Sequence, residues 1–209
     1  MAIEPEEKEA IAFVDGQNLF HSVREAFGYT FPNYDILALA RRVCDSQGWT
    51  LRQVRFYTDV PDAADNERWH QFWEAKLLSL VRAGVYTFKR GLRYRNRTIN
   101  LPDGSTYTFK SAEEKGIDVR IAVDVVRLAI HNDFDVGVIF SQDQDLSEVS
   151  REIREIARET QRWIKIASAY PVGATSRNRR GIDSTDWVSI DKEMYDACID
   201  HRDYRPKTG

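Results

Sequence analysis

Short apolar runs alternate with amphipathic helical stretches along nearly all of this 209-residue chain, and that alternation constrains its fold more than any other feature. Residues 11–14 are apolar and stop at Asp15-Gly16, as a buried strand entering a loop does. Helical patterning follows over 18–27, closed by Gly28, and over 34–46, where Ile36, Leu37, Leu39, Ala40 and Val43 share a face ahead of Gly48. Residues 51–57 alternate with the period of a strand. Residues 66–83 form a long helix, with Trp69, Phe72, Trp73, Leu77, Leu80 and Val81 on its apolar side and Gly84 just past its end. A strand is expected at 85–88. The turn signal Pro102-Asp103-Gly104-Ser105 then lies between two β-prone runs, so 86–110 reads as a strand followed by a β-loop at a sheet edge. Beyond it come a helix at 117–131, the most apolar strand at 134–140, a helix at 146–160 and a strand at 164–169. A loop at 173–184, a last strand at 187–190 and a helical turn at 192–199 complete the pattern, and the chain from Asp200 onward is expected to fray.

Parallel strands need crossover connections, so successive βα units predict a three-layer α/β/α domain with a mainly parallel central sheet and a β-loop insertion. One such domain spans 11–199, between a polar tail at 1–10 and a C-terminal tail at 200–209, and the length suits a single core. With 30 Lys and Arg against 33 Asp and Glu, the net charge of −3 gives no support for a strongly basic nucleic-acid binder, although a site that carries its own cations can still accept phosphates. No apolar stretch approaches the roughly 20 residues that span a bilayer, and the acidic opening resembles no secretory signal. Cys44 and Cys198 match no zinc spacing and read as free thiols, which points to a reducing, cytoplasmic setting.

In parallel α/β sheets ligands bind beyond the carboxyl ends of the strands. Asp15 follows the first strand at once, Asp143 and Asp145 follow the strand at 134–140, and Asp118 stands in the first turn of the helix opening at Lys115-Gly116-Ile117. These carboxylates meet at one edge if the first strand neighbours the 134–140 strand, an adjacency that no local pattern dictates. Two like charges about 4 Å apart repel by roughly 4 kcal/mol at an effective dielectric near 20. Four carboxylates in one cleft therefore take up protons or bind a cation. Hard divalent ions suit oxygen ligands, and they supply an activated water and charge neutralisation for phosphodiester hydrolysis. Two of the aspartates also have a plainer use, since Asp143 suits a helix cap and Asp118 is favoured by the helix dipole, whereas Asp15 stands at a strand end with no evident capping need. Asp124, six residues after Asp118, belongs to a different helix face and reads as structural or supporting. No Ser-His-Asp set or P-loop offers a competing chemistry.

The segments Phe13-Val14-Asp15-Gly16-Gln17-Asn18-Leu19, Lys115-Gly116-Ile117-Asp118-Val119 and Ser141-Gln142-Asp143-Gln144-Asp145-Leu146 resemble, in order and spacing, three linked motifs of NYN domains. The resemblance spans about 11–190. It implies a PIN-like fold and a ribonuclease dependent on Mg2+ or Mn2+, with Asp15, Asp118, Asp143 and Asp145 as metal-binding catalytic carboxylates. It further implies that Asn18 and Ser141 hold the loops or touch substrate. Gln142 stands where a small residue is common and is expected to crowd its loop, and Leu146 stands where an aromatic is common. The segment 86–110 lies outside the resemblance.

RNA, single-stranded or structured, is the expected partner, and a homodimer is left open. Arg177, Arg179 and Arg180 of the late loop are the favoured phosphate contacts, followed by Arg90, Arg93, Arg95 and Arg97 with Tyr94 in the β-loop. Arg151, Arg154 and Arg158 alternate with glutamates at helical spacing and read as a solvated face. The rival readings are a catalytically silent module that binds RNA or a protein, and a Toprim-like phosphotransferase. The latter wants a glutamate where Asp15 stands.

Overall fold

The first strand, β1 (Glu9–Asp15), is buried from Ala10 onward and alternates between two cores. Ala10, Ala12 and Val14 pack with α1 (Gly16–Phe27), α2 (Ile36–Ser46) and α3 (Ala63–Arg82). Ile11 and Phe13 pack on the opposite side with α4 (Ile117–Ile130) and α5 (Ser147–Glu159). A strand that is apolar on both faces must be covered on both, and this produces the expected three layers. The structure is a computed structural model describing residues 2–113 and 116–206, with backbone alone for 93–95 and 109–113.

The sheet adds β2 (Thr50–Val60), β3 (Tyr86–Gly91), β6 (Val136–Phe140), β7 (Lys165–Pro171) and β8 (Asp186–Ile190), in the order β3-β2-β1-β6-β7-β8. Every neighbouring pair is parallel. The chain winds outward from β1 to β3, then returns to the other side of β1 and winds outward again through β8. The order therefore reverses between β1 and β6, which makes their carboxyl ends the switch point where such sheets leave a crevice. The insertion is a separate antiparallel ribbon, β4 (Arg93–Asn100) with β5 (Thr106–Glu113), as the turn signal predicted.

Several local expectations change. Tyr34 belongs to no helix: its backbone bridges Ile199, and α2 starts at Ile36 behind the cap of Asp35. Asn66 breaks the first turn of α3, and its side chain caps the long part of that helix at Trp69 N. β2 runs past 57 to Val60, and the last helix, α6 (Lys192–Asp196), ends before 199.

The largest departure is the C-terminal segment, which does not fray over its described residues. The Asp200 N–H donates to the Asn33 carbonyl at 2.7 Å, and Tyr204 Oη donates to Asp200 Oδ2 while accepting from Ser79 Oγ. Asp200 thereby lies against Lys76, a fully buried lysine that donates to the Tyr34 carbonyl. Tyr204 also meets Phe72 edge-on, and this contact was invisible in a polar, charged tail. Cys44 and Cys198 are free and buried, and burial pushes the Cys44 thiol up to about 12. Among the described residues no helix is long and apolar enough to cross a membrane.

Candidate active site

Val14 pairs in register with Phe140, so Asp15 and Ser141 leave neighbouring strands at the same level. Asp15 is 8% exposed, and its Oδ1 caps α1 by accepting the Asn18 N–H at 3.1 Å. The helix starts this close to β2 because residue 16 is glycine: a Cβ there would stand 2.5 Å from Phe56 Cζ and 3.0 Å from the Tyr57 carbonyl. Asn18 then reaches across the crevice, its Oδ1 accepting the Gln142 N–H at 3.0 Å. In the second loop Ser141 Oγ accepts the Asp143 N–H at 3.1 Å, and Asp143 Oδ1 accepts the Asp145 N–H at 3.0 Å. Asn18 and Ser141 thus brace the two loops, and Asp143 does serve as the cap of a 3-10 turn (Gln144–Leu146).

Asp118 comes from the other side. Gly116 opens α4 in the left-handed region (φ +79°) with the Arg90 guanidinium directly against it, and Arg90 is the register partner of Asp59 on β2. The half-buried Asp118 in the first turn of α4 therefore starts from the same carboxyl edge, on the β2–β3 side of Asp15. Lys115 lies outside the described residues. Asp145 is exposed and lines a groove of about 620 Å³ between α4 and α5, beside Val123, Val126 and Ile130. Among the described residues no three His, Cys, Asp or Glu side chains converge closely enough to hold a metal between them.

The late loop is fastened to this edge by Gln142. Its Nε2 donates to the Asn178 and Arg180 carbonyls, and its Oε1 accepts from Ser22 Oγ of α1. Gln144 adds a bond to the Gly181 carbonyl and accepts the Asp183 N–H. Gln142 therefore clamps the loop instead of crowding it, and Leu146 fills core space at 1% exposure. Of the loop arginines, Arg179 donates to the carbonyls of Gly173, Ala174 and Ser176, and Arg180 pairs with Asp183. Arg177 is exposed, its backbone N–H held by Glu25. In the ribbon Arg97 is exposed, while the side chains of Arg93, Tyr94 and Arg95 lie outside the described residues. On α5, Arg151 and Arg158 form the expected surface pairs with Glu148 and Glu155, but Arg154 donates to the Ser184 carbonyl and ties the loop down.

Four contributors escaped the sequence reading. Asp59, 1% exposed near the end of β2, lies two residues beyond Tyr57, the register partner of Asp15, and its carbonyl accepts from Gln17 Nε2. It was hidden because β2 was expected to stop at 57. Ser168 of β7 donates to the Ser141 carbonyl and accepts the Ile182 N–H, joining both loops from below. Gln144 looked like a spacer. Tyr34 donates to the Gly16 carbonyl at 3.4 Å, and burial together with the Asp15 charge raises its phenol well above the ordinary range, so the hydroxyl stays protonated.

A six-stranded parallel sheet between two helical layers, with aspartates at the carboxyl ends of β1 and β6, defines a PIN-like α/β/α domain. The NYN domain profile matches residues 10–171, and the chain belongs to the NYN domain family. Among solved structures, a protein of unknown function from Vibrio parahaemolyticus is similar at 20% identity and a TM-score of 0.51, over 91% of this chain and 98% of that one. That likeness concerns the fold alone. A ribokinase from Giardia lamblia aligns over 85% of this chain and 51% of its own at 10% identity, and its TM-score of 0.36 is too low to argue from. No curated protein matches the sequence.

Proposed function

We propose that this protein is a metal-dependent ribonuclease that hydrolyses RNA phosphodiester bonds, with Asp15 and Asp143 holding Mg2+ or Mn2+ directly and Asp118 and Asp145 reaching the ion through waters of its shell. Membership of the NYN family supports the class. The observation that carries the reading is the Asn18 brace, which couples the loops bearing Asp15 and Asp143 across the switch point. Magnesium usually takes one or two protein carboxylates and completes its shell with water and phosphate oxygens. Two aspartates on coupled loops fit that light demand without a cage of three protein ligands. A bound cation would lower the pKa of a water and offset the charge that gathers on the phosphate.

The chain's own residues prepare the crevice. The capping bonds at Asp15 and Asp143 fix one oxygen of each carboxylate and so set the direction of the other. Asn18 fixes the distance between the Asp15 and Asp143 loops, Ser168 ties the Asp143 loop to the late loop, and the buried Tyr34 phenol closes the floor beneath Asp15. Arg177, on the clamped loop, is the arginine suited to meet an incoming phosphate.

The test is incubation of the purified protein with single-stranded RNA in Mg2+ or Mn2+, with and without chelator. Cleavage should need the metal, and Asp15→Asn or Asp143→Asn should each abolish it while leaving the melting temperature near wild type, because asparagine also caps helices. Cleavage that survives either substitution removes the assignment. RNA binding without any cleavage makes the protein a silent module.

A further inference from the structure

The β4–β5 ribbon belongs to neither core, and residues 96–108 are exposed throughout. Such an arm adds little stability, since an isolated two-stranded hairpin is marginal in water. Its composition runs against the rest of the chain. Between Tyr86 and Glu113, six basic residues (Lys89, Arg90, Arg93, Arg95, Arg97, Lys110) stand with only Asp103 and Glu113 as acids, an excess of four positive charges. The whole chain carries −3, so everything outside this segment carries −7.

The pairing register sorts these positions. Arg97 lies opposite Phe109 and Ile99 opposite Tyr107, with Arg95 opposite Ser111 and Arg93 opposite Glu113. Strand positions repeat every two residues, so 93, 95, 97 and 99 share one face with 107, 109, 111 and 113. The other face takes Asn96, Thr98 and Asn100 with Thr106 and Thr108, and Thr98 and Thr108 bond through their hydroxyls at 2.8 Å. Charge on an exposed ribbon is a common guard against edge-to-edge aggregation. That role does not explain apolar and aromatic residues left in water on the arginine face, where Ile99 is 46% and Tyr107 56% exposed.

Both ends of the ribbon are rooted at the acidic edge. The Leu92 N–H bonds the Val60 carbonyl at the end of β2, and β5 stops at Glu113, three residues before the glycine that opens the helix of Asp118. Eight residues per strand make an arm about 26 Å long.

We infer that the ribbon is an RNA-holding arm that carries single-stranded RNA along its arginine and aromatic face towards the aspartates, an assignment that deepens the ribonuclease reading and rests on it for the purpose of the delivery. Arginines at a two-residue repeat match a phosphate backbone, and tyrosine stacks on unpaired bases of any sequence. Duplex RNA fits less well, because its major groove is too deep and narrow for side chains to read.

The test is binding in chelator, on the Asp143→Asn background, of a fluorescein-labelled single-stranded RNA of about 20 nucleotides, longer than the roughly 4–16 nucleotides of a typical single-strand site. Anisotropy is followed through a salt series. The combined Arg93→Gln, Arg95→Gln, Arg97→Gln protein should bind at least about tenfold more weakly, and its log–log salt slope should be shallower by about 2, at about 0.7 per lost phosphate contact. Tyr107→Ala should weaken binding by at least about fivefold with the slope unchanged. Melting temperatures equal to the parent's separate these losses from unfolding. Unchanged affinity and slope in the triple variant overturn the arm, and so does a duplex of equal length bound as tightly as the single strand. Binding lost through the arm in a protein whose wild type cuts no RNA would sink the nuclease reading alone, whereas normal cleavage with unaltered binding would sink the arm alone.

Discussion

Asp124 and Asp15 are the same residue type in opposite employment. Asp124 is 2% exposed and sits between Arg55 at 3.2 Å and Arg120 at 2.9 Å, with Tyr57 Oη donating at 2.7 Å. Burial and the bond to Asp124 raise the Tyr57 phenol far above its usual range, so it remains a donor. Removing the carboxylate charge strands two guanidinium groups in poor solvent. Asp124→Asn should therefore destabilise the fold by about 3 kcal/mol, as breaking buried ion pairs does. Urea unfolding measures this, and a loss below about 1 kcal/mol would show that the arginines find other partners. Asp15 caps a helix at the carboxyl end of β1, a task that asparagine also performs, so the paired Asn substitutions are expected to differ in their cost to the fold. The sequence distinguished them only through helix geometry, since six residues carry Asp124 round to the buried face from Asp118.

At the scale of elements, β-strand and helix patterning predicted nearly every unit, because apolar periodicity is set locally by burial. The ribbon was also legible, from Pro102-Asp103-Gly104-Ser105 alone. The pairing of β1 with β6 was not, since it joins segments whose local patterns say nothing about each other. The tie between the late loop and Gln142 was equally hidden: a glutamine in a motif reads as a spacer until its acceptors, two backbone carbonyls far along the chain, are seen. That clamp predicts the behaviour of the loop. Gln142→Ala leaves the carbonyls of Asn178 and Arg180 without these bonds and should speed tryptic cutting at Arg177 and Arg180 severalfold, while α1 and β6 stay protected. Limited proteolysis read by mass spectrometry decides it, and an unchanged cutting rate would mean that Gln144 and Arg154 suffice to hold the loop.

For the molecule as a whole, the C-terminal segment acts as a strap across α3. It buries Lys76, and that burial pulls its pKa down to about 8 against the attraction of Asp200 and Asp35. The unfolded lysine titrates near 10.4. Between roughly pH 8 and 10 the unfolded chain therefore holds a proton that the folded chain has released, and this group's contribution to stability rises with pH through that window. Unfolding free energies of the wild type should climb from pH 8 to 10 relative to those of Lys76→Met. Parallel profiles would mean that Lys76 meets water in solution.

The strand order also sets a timetable. β1 is made first but lies mid-sheet, and its partner on one side, β6, is not translated until Val136–Phe140. The strap that pins Tyr34 beneath Asp15 follows later still, at Cys198–Asp200. A nascent chain tethered to its ribosome, with messenger RNA close by, therefore carries the crevice half-built until Asp200 has been added.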